Sequence, residues 1–283
     1  MPKLLVTGAS GYLGGALAVR AAHAGWAVTG TVHARPQAAP SALAAVVVID
    51  VRDAAAVDAA VQGAAPDAIV HTAYVQHGDA AHAVNADGAG HVAAAARAAG
   101  ARLVHVSTDA IFAGTDDGRP LTEEDVADPV TPYGHTKAAA EIAVRAACPD
   151  ALLARTSLLY GGPGRAPSPH EELAVAVARG ERDDMVFYSD EIRSPVQVDD
   201  LAAALLELAA MREAGPLNVA GADALSRLDF ARLIVAACGD DPGRLRGAPA
   251  PPGRPRACAL DSSRAQARLD TRLRGARAVL VPG

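Results

Sequence analysis

The sequence predicts an α/β fold, with a Rossmann doubly wound parallel sheet and a smaller, partly interleaved C-terminal α/β portion. Two observations support this prediction. Short apolar runs alternate with helical stretches through the first 160 residues, and a glycine-rich turn, Gly8-Ala9-Ser10-Gly11-Tyr12-Leu13-Gly14, follows the first apolar run. Strands that alternate with helices in this rhythm form parallel sheets covered on both faces.

Buried strands are predicted where short apolar runs end at polar residues or glycine. In order they are residues 3–7, 26–32, 46–49, 68–71, 102–106 and 151–154. Helices are predicted at 12–24, 54–61, 80–99 and 132–147. Gly25 closes the first helix, and Pro132 stands where a helix tolerates proline.

After Tyr160 the pattern becomes looser. Helices are expected at 171–178, 199–211 and 226–238, with Asp199 and Ser226 as N-caps, and a short strand at 185–188. The stretch 239–255 is rich in Gly, Pro and Arg and is expected to be irregular. We therefore expect a Rossmann domain over 1–160 and a substrate-binding portion over 161–283, with parts near 195–215 returning to the first domain.

The composition argues against several classes of protein. A net charge of −6 over 283 residues gives no cationic footprint for nucleic acid. The three cysteines form no CxxC pair and the histidines show no metal-ligand spacing, so we expect neither a disulfide framework nor a metal. The first apolar run ends at Thr7, too soon for a membrane span. We expect a cytoplasmic protein without membrane contact.

The glycine-rich turn has the features of a dinucleotide-binding loop. Residues without Cβ permit a sharp bend, close approach of the backbone to a pyrophosphate, and tight packing of helix on strand. The helix N-terminus adds unpaired N–H groups and partial positive charge. We therefore expect a cofactor to contact Gly8, Ser10, Gly11, Tyr12, Leu13 and Gly14.

The end of the second strand favours NADP(H), with NAD(H) as the alternative. An NAD site usually has an acid here, but the sequence reads Thr31-Val32-His33-Ala34-Arg35. Arg35, with His33, can pair with a 2′-phosphate.

Two further segments are expected beside the cofactor. Asp50 and Val51 follow the third strand, where they meet the adenine edge or, alternatively, cap the next helix. Thr72, Ala73 and Tyr74 follow the fourth strand and border the cofactor at the carboxyl end of the sheet.

The candidate catalytic residues lie at the start of the helix 132–147. Tyr133 and Lys137 are four residues apart, so both side chains lie on one helix face. The lysine charge favours the phenolate, which suits Tyr133 to give a proton to a developing alkoxide. Lys137 can also hold the nicotinamide ribose, and Thr108, at the end of the fifth strand, is the hydroxyl expected to share the substrate oxygen.

These residues together resemble the extended short-chain dehydrogenase/reductase family, most closely its dTDP-4-dehydrorhamnose reductases. The similarity runs over nearly the whole chain. It is carried by Ser107-Thr108-Asp109-x-Ile111-Phe112-x-Gly114, Thr131-Pro132-Tyr133-Gly134-x-Thr136-Lys137-x-x-x-Glu141, Arg155-Thr156-Ser157-x-x-Tyr160-Gly161 and Ser194-Pro195-Val196-x-Val198-x-Asp200-Leu201-Ala202. The resemblance implies that Thr108, Tyr133 and Lys137 form a catalytic triad, and that NADPH reduces a 4-keto nucleotide sugar.

The departures from this family fall on the substrate side. They include Ala110, Ala140 and the acidic pair Asp190-Glu191, and only 3% of residues are aromatic, which leaves few rings to stack on a base. The expected substrate contacts are Asp109, Arg165, Arg193 and Arg254, with the arginines holding a phosphate or, alternatively, solvated at the surface.

Other functions stay open on the sequence alone. A sugar-nucleotide epimerase or dehydratase uses the same Thr, Tyr and Lys, although Asp109-Ala110 stands where a dehydratase has Asp-Glu. A non-catalytic NADP-binding protein, like the regulatory β subunit of methionine adenosyltransferase, is the alternative from a different class. A homodimer is compatible with either function.

Overall fold

The computed structural model describes residues 1–34, 36–183 and 185–281. Its strands are β1 (Lys3–Thr7), β2 (Ala27–Val32), β3 (Ala45–Val48), β4 (Ala68–His71), β5 (Arg102–Thr108), β6 (Leu152–Thr156), β7 (Leu159–Tyr160), β8 (Phe187–Tyr188), β9 (Ile192–Arg193), β10 (Val196–Gln197), β11 (Gly215–Asn218), β12 (Leu225–Ser226) and β13 (Gly247–Ala248). Its helices are α1 (Tyr12–His23), α2 (Ala54–Ala64), α3 (Gly88–Ala98), α4 (Pro132–Ala147), α5 (Pro169–Ala178), α6 (Val198–Ala210), α7 (Arg227–Ala237), α8 (Ser263–Gln266) and α9 (Ala276–Leu280).

Seven strands form one sheet in the order β3-β2-β1-β4-β5-β6-β11. The pairs β1–β2, β1–β4, β2–β3 and β4–β5 are parallel. The strands β3-β2-β1-β4-β5-β6 follow the order of a Rossmann fold, in which the order of strands along the sheet reverses between β1 and β4. This confirms the predicted fold class and places the crevice for a ligand at the carboxyl ends of β1 and β4.

The chain packs as two compact units. The first comprises residues 1–107, 132–154 and 202–217, and the second comprises 108–131, 155–201 and 218–283. The core of the first contains many alanines, packed with β-branched and leucine side chains such as Val57, Ile69 and Leu103. In the second, the rings of Tyr160 and Phe230 meet edge-on, 5.5 Å apart, within a separate core. The boundaries of these units do not coincide with a division at residue 160. That residues 1–160 bind the cofactor and 161–283 the substrate stays a prediction.

The helix expected over 80–99 is confirmed from residue 81 to 98, but its first part is not regular α-helix. A π-helical segment, Ala83–Asp87, precedes α3. The side chain of Asn85 explains it, because Oδ1 accepts from Val75 N at 2.9 Å while Nδ2 donates to Val75 O at 2.8 Å and to Thr136 Oγ1 at 2.9 Å. These bonds pin the segment, and single π-turns of this kind often lie near functional sites.

Two further expectations are corrected. Asp199 lies inside the first turn of α6 rather than capping it, since Gln197 Oε1 accepts from the backbone N–H groups of Asp199 and Asp200. The stretch 239–255 contains a 3₁₀ turn, Pro242–Arg244, and β13, which pairs with β8. The cap Ser226 is confirmed, because its hydroxyl accepts from Asp229 N at 2.9 Å.

No helix in the described part of the chain is long and apolar enough to cross a membrane.

Candidate active site

The turn after β1 is shaped by its glycines. Gly8 has φ of +72°, and a Cβ there would lie 2.9 Å from Ala73 Cα. A Cβ on Gly14 would lie 2.3 Å from the carbonyl oxygen of Gly8. Gly11 is the N-cap of α1 and makes no side-chain cap, so a ligand can cap the start of the helix. The turn is thus a cradle that a pyrophosphate fits and that side chains would fill.

The remaining residues of this loop differ in what they offer. Ser10 and Tyr12 are half-buried beside the turn. Leu13 is buried and faces the core, so its contribution to a phosphate site is its backbone N–H.

The segment after β4 lies against this turn. Thr72 N and Ala73 N donate to Thr7 Oγ1 at 3.1 and 3.3 Å, and Thr72 Oγ1 donates to Thr7 O at 2.6 Å. Tyr74 is half exposed, and its ring centroid lies 5.9 Å from that of Tyr133. The structure therefore brings together the glycine turn, the segment 72–74 and the start of α4.

Asp50, which follows β3, lies close to His33, which follows β2. Asp50 accepts from Arg52 Nε at 2.9 Å, and His33 Nε2 lies 3.6 Å from the same carboxylate. Hydrogen bonding to Arg52 lowers the pKa of Asp50 to about 2. Arg35 lies outside the described residues. The sequence reading missed Arg52, a half-exposed cation at this end of the sheet.

Asp50 and Val51 do not cap α2. The cap is Asp53, whose Oδ1 accepts from Ala55 N and Ala56 N at 3.0 and 3.1 Å. The side chain of Val51 is buried in the core, while its carbonyl oxygen lies 3.0 Å from His91 Nδ1. The N-cap role is therefore wrong, and contact with a cofactor stays a prediction.

The lysine of the predicted triad is deeply buried. Lys137 Nζ donates to Val106 O at 2.8 Å and lies 3.3 Å from His105 Nε2. Burial lowers the pKa of Lys137 to about 8, and the carboxylate of Glu141 opposes this fall. Tyr133 precedes Lys137 by one helical turn, so α4 presents a phenol and an ammonium on one face.

Ser107 and Thr108, the last two residues of β5, have different hydrogen-bond partners. Ser107 donates to Glu141 Oε1 at 2.6 Å, a buried contact. Thr108 ends the strand half-exposed, and its Oγ1 accepts from Ala110 N at 3.2 Å. Thr108 is therefore the hydroxyl of the two that a substrate can reach.

Two of the expected substrate contacts pair with each other. Arg193 is buried, and its NH1 lies 2.6 Å from Asp109 Oδ1, while Ser157 Oγ donates to Asp109 Oδ2 at 2.5 Å. Burial acts to lower the pKa of Arg193, but Asp109 and Glu191 outweigh it, so the pKa is raised. Both residues are thus held in a buried ion pair.

The other two arginines are more accessible. Arg165 pairs with Asp199. Arg254 NH2 donates to Glu191 Oε2 at 2.8 Å and its guanidinium lies 5.1 Å over the Tyr188 ring.

Arg227, which was not predicted from the sequence, lies near the charged cluster of Asp109, Glu191, Arg193 and Arg254. It begins α7, and its backbone N–H donates to Glu191 O at 3.0 Å. Burial lowers its pKa, with Glu191, Arg193 and Arg254 among the charges that act on it. Within the residues that the structure describes, its guanidinium makes no hydrogen bond to a side chain. A cation in the first turn, where the helix dipole disfavours it, was the available sequence signal.

Metal chemistry receives no support from side-chain clustering. Across residues 1–34, 36–183 and 185–281, no group of three or more His, Cys, Asp and Glu side chains is arranged to hold a metal ion.

Comparison with known proteins gives consistent matches. The family described as RmlD substrate binding domain matches residues 2–281. The dTDP-4-dehydrorhamnose reductase of Mycolicibacterium smegmatis is 36% identical over 281 residues, which cover 94% of this chain and 80% of that protein. Methionine adenosyltransferase 2 subunit beta of Bos taurus is 30% identical, covering 93% of this chain and 81% of that protein.

Solved structures share the fold. The dTDP-4-dehydrorhamnose reductase of Bacillus anthracis, solved in complex with NADP, superposes with a TM-score of 0.81 at 23% identity, covering 99% of this chain and 97% of that one. At this identity the likeness speaks for the fold alone. The sequence matches confirm the resemblance drawn from the motifs.

Proposed function

The chain belongs to the RmlD substrate binding domain family, and we propose that it reduces a keto group of a nucleotide sugar with NADP(H). The observation that carries this proposal is the buried Lys137, which lies on the same face of α4 as Tyr133. Its Nζ donates to Val106 O at 2.8 Å. Tyr133 and Lys137 follow a glycine turn shaped for a pyrophosphate. A Rossmann-type reductase uses both features, a turn that holds the dinucleotide and a group that gives a proton to the substrate.

The cofactor fits the glycine turn and the segment 72–74. The start of α1, with the backbone N–H of Leu13, would hold the pyrophosphate, while the N–H of Gly11 is bonded to Gly8 O at 2.9 Å within the turn. Bound there, the nicotinamide would supply the hydride. Gly8 and Gly14 keep the backbone close enough for these contacts, because side chains at either position would collide with it.

Preference for NADP(H) over NAD(H) rests on charge at the end of β2. No acid follows that strand, while His33 and Arg52 meet at Asp50 and Arg35 follows in sequence. Arginines pair with a 2′-phosphate. Rates with NADPH and NADH at equal concentration test this step, and a strong preference for NADH would contradict it.

The proton comes from Tyr133. As hydride reaches the carbonyl carbon, negative charge develops on the oxygen, and the phenol gives that oxygen its proton. The Lys137 ammonium stabilises the phenolate that is left behind. Thr108 donates a hydrogen bond to the same oxygen and holds the carbonyl for attack. Reduction thus yields an alcohol, with bulk water returning a proton to Tyr133.

The substrate portion is assigned to the charged cluster of the second unit. Arg193, Arg227 and Arg254 carry three positive charges against the two of Asp109 and Glu191. One positive charge is therefore in excess, which favours an anionic ligand such as the diphosphate of a nucleotide sugar. dTDP-4-dehydrorhamnose is the first substrate to test, because relatives at 36% and 34% identity are named for its reduction.

A spectrophotometric assay decides between this proposal and its rivals. Full-length protein with NADPH and dTDP-4-dehydrorhamnose is expected to lose the absorbance of reduced nicotinamide. Tyr133→Phe is expected to lower kcat by roughly 10²–10⁴-fold while NADPH still binds by calorimetry. Tyr188→Phe, which keeps the ring beneath Arg254, is the matched control and is expected to turn over normally.

Other outcomes identify other functions. Full activity of Tyr133→Phe would refute the mechanism. Tight NADPH binding without turnover on a panel of keto sugars would favour a non-catalytic subunit, as the similarity to the methionine adenosyltransferase subunit suggests. Interconversion of sugars without net oxidation of NADPH would favour an epimerase. A homodimer in the cytoplasm remains part of the proposal and is testable by sedimentation and fractionation.

A further inference from the structure

Three buried polar side chains, Thr7, His71 and His105, form a row that ends at Lys137. Thr7, His71 and His105 occupy neighbouring positions on β1, β4 and β5, since Thr7 is in register with His71 and His71 with His105. Thr7 Oγ1 lies 2.7 Å from His71 Nδ1, and the two imidazole rings stack with centroids 5.2 Å apart. His105 Nε2 lies 3.3 Å from Lys137 Nζ. The row therefore runs without interruption from the glycine turn to the lysine.

The hydrogen bonds fix where His71 carries its proton. Thr7 Oγ1 already accepts from Thr72 N and Ala73 N, which occupies both of its lone pairs. Its single hydroxyl proton is left to donate to His71 Nδ1. His71 Nδ1 is thus the acceptor, and the proton of its neutral ring lies on Nε2.

Both imidazoles are neutral at working pH. Burial, reinforced by the charge of Lys137, lowers the pKa of His71 to about 3 and that of His105 well below its usual value. On the lysine's own helix, Tyr133 and Glu141 each lie one turn away, and His135 and Arg145 are the other titratable groups. Since Lys137, with its pKa of about 8, is protonated at neutral pH, it is the donor and His105 Nε2 is the acceptor.

We propose that His105 is a positioning residue, which holds the Lys137 ammonium through an unprotonated Nε2 while His71 and Thr7 fix the ring behind it. An ammonium has three N–H groups. Val106 O and His105 Nε2 take two of them, and the third is left for the reacting groups. The catalytic part of this inference rests on the proposed reductase function, but the contact itself does not.

The chain offers an unusually clean measurement, because Lys3 and Lys137 are its only lysines. Protein labelled with ¹³C-lysine gives two Cε signals, and the exposed Lys3 serves as an internal reference during a pH titration. His105→Leu removes the acceptor, so the charged lysine loses stabilisation and its pKa is expected to fall by about one unit. His105→Gln keeps an acceptor near the Nε2 position, so the pKa is expected to stay within a few tenths of a unit of wild type.

Two results would overturn the proposal. One is a Lys137 titration in His105→Leu that matches wild type, and the other is an equal shift in His105→Gln and His105→Leu. Should His105→Leu not fold, ¹⁵N-histidine spectra of the wild-type protein decide the matter. They are expected to show His105 protonated at Nδ1 and His71 at Nε2, and a proton on His105 Nε2 would refute the assignment.

Turnover measurements on the same variants separate this inference from the proposed function. His105→Leu is expected to lower kcat about tenfold at pH 7 and to move the alkaline limb of the pH profile down by about one unit, with His105→Gln restoring both. If wild-type protein shows no turnover, the reductase proposal fails while the lysine titration still tests the contact.

Discussion

The packing at Gly14 predicts that adding a single methyl group will disable the cofactor loop. In Gly14→Ala, the new Cβ would lie 2.3 Å from Gly8 O and 2.7 Å from Thr72 Oγ1. Neither atom can easily retreat, because Gly8 is held in a tight turn and Thr72 Oγ1 donates to Thr7 O at 2.6 Å. Overpacking of this kind costs about 1–3 kcal/mol or more, which outweighs a gain of ~1 kcal/mol in helix propensity.

Gly15→Ala is the matched control. Gly15 is the next residue of α1, and a Cβ there would meet Ala9 O at 3.4 Å and Pro40 Cγ at 3.8 Å. These are ordinary contacts. The helix propensity of alanine should therefore dominate, and we expect stabilisation by up to ~1 kcal/mol.

Trp26 provides the signal for this comparison. It is the only tryptophan and lies in the first unit, just before β2, so its fluorescence in urea reports the unfolding of that unit. Gly14→Ala is expected to unfold at lower urea than wild type and to bind NADPH at least tenfold more weakly, whereas Gly15→Ala should unfold at slightly higher urea. Equal midpoints and equal NADPH affinities for the two variants would refute the packing argument.

Three other predictions follow from charged groups. Because the reaction needs the Lys137 ammonium, kcat/KM should fall tenfold per pH unit above about pH 8, and a flat profile to pH 10 would contradict this role. Asp109→Asn should destabilise the protein by roughly 3–5 kcal/mol by thermal unfolding, since it leaves Arg193 in a broken buried pair, and adding Arg193→Met should recover part of the loss. Arg227→Gln should raise the KM for the nucleotide sugar about tenfold without changing NADPH affinity, and an unchanged KM would remove it from the site.

Much of the first unit was predictable because its signals are local. The bounds of β1 and β4 match the predicted strands, and α4 begins at Pro132 as expected. In contrast, β11 (Gly215–Asn218) contains Gly and Pro, which argue against a strand, and Pro is tolerated in a sheet mainly at its edges. The two-residue strands of the second unit are too short to show any periodicity. The π-helical segment depends on Asn85 meeting residues 75 and 136, which no local pattern reveals.

The candidate site divides in the same way. Gly8, Gly14, Tyr133 and Lys137 lie in short motifs whose spacing already implies geometry. Arg52 acquires its place only when β2 and β3 bring His33 and Asp50 together. His71 and His105 become neighbours only because β4 pairs with β5. In the sequence, a histidine within an apolar strand gives no sign of which side chains it contacts.

The neutral side chains of Thr7, His71 and His105 beside Lys137 suit the role proposed for this lysine. A buried ammonium paired only with a carboxylate would be held in its charged form far above neutral pH, and its fixed pairing would leave little charge for the phenol. In this chain the charge of Glu141 raises the pKa of Lys137, while Oε1 of that carboxylate accepts the Ser107 hydroxyl at 2.6 Å. The contacts to His105 Nε2 and Val106 O add orientation without adding a second negative charge. Burial can then bring the pKa of Lys137 to about 8, low enough to respond to chemistry at Tyr133 and high enough to stay protonated at neutral pH.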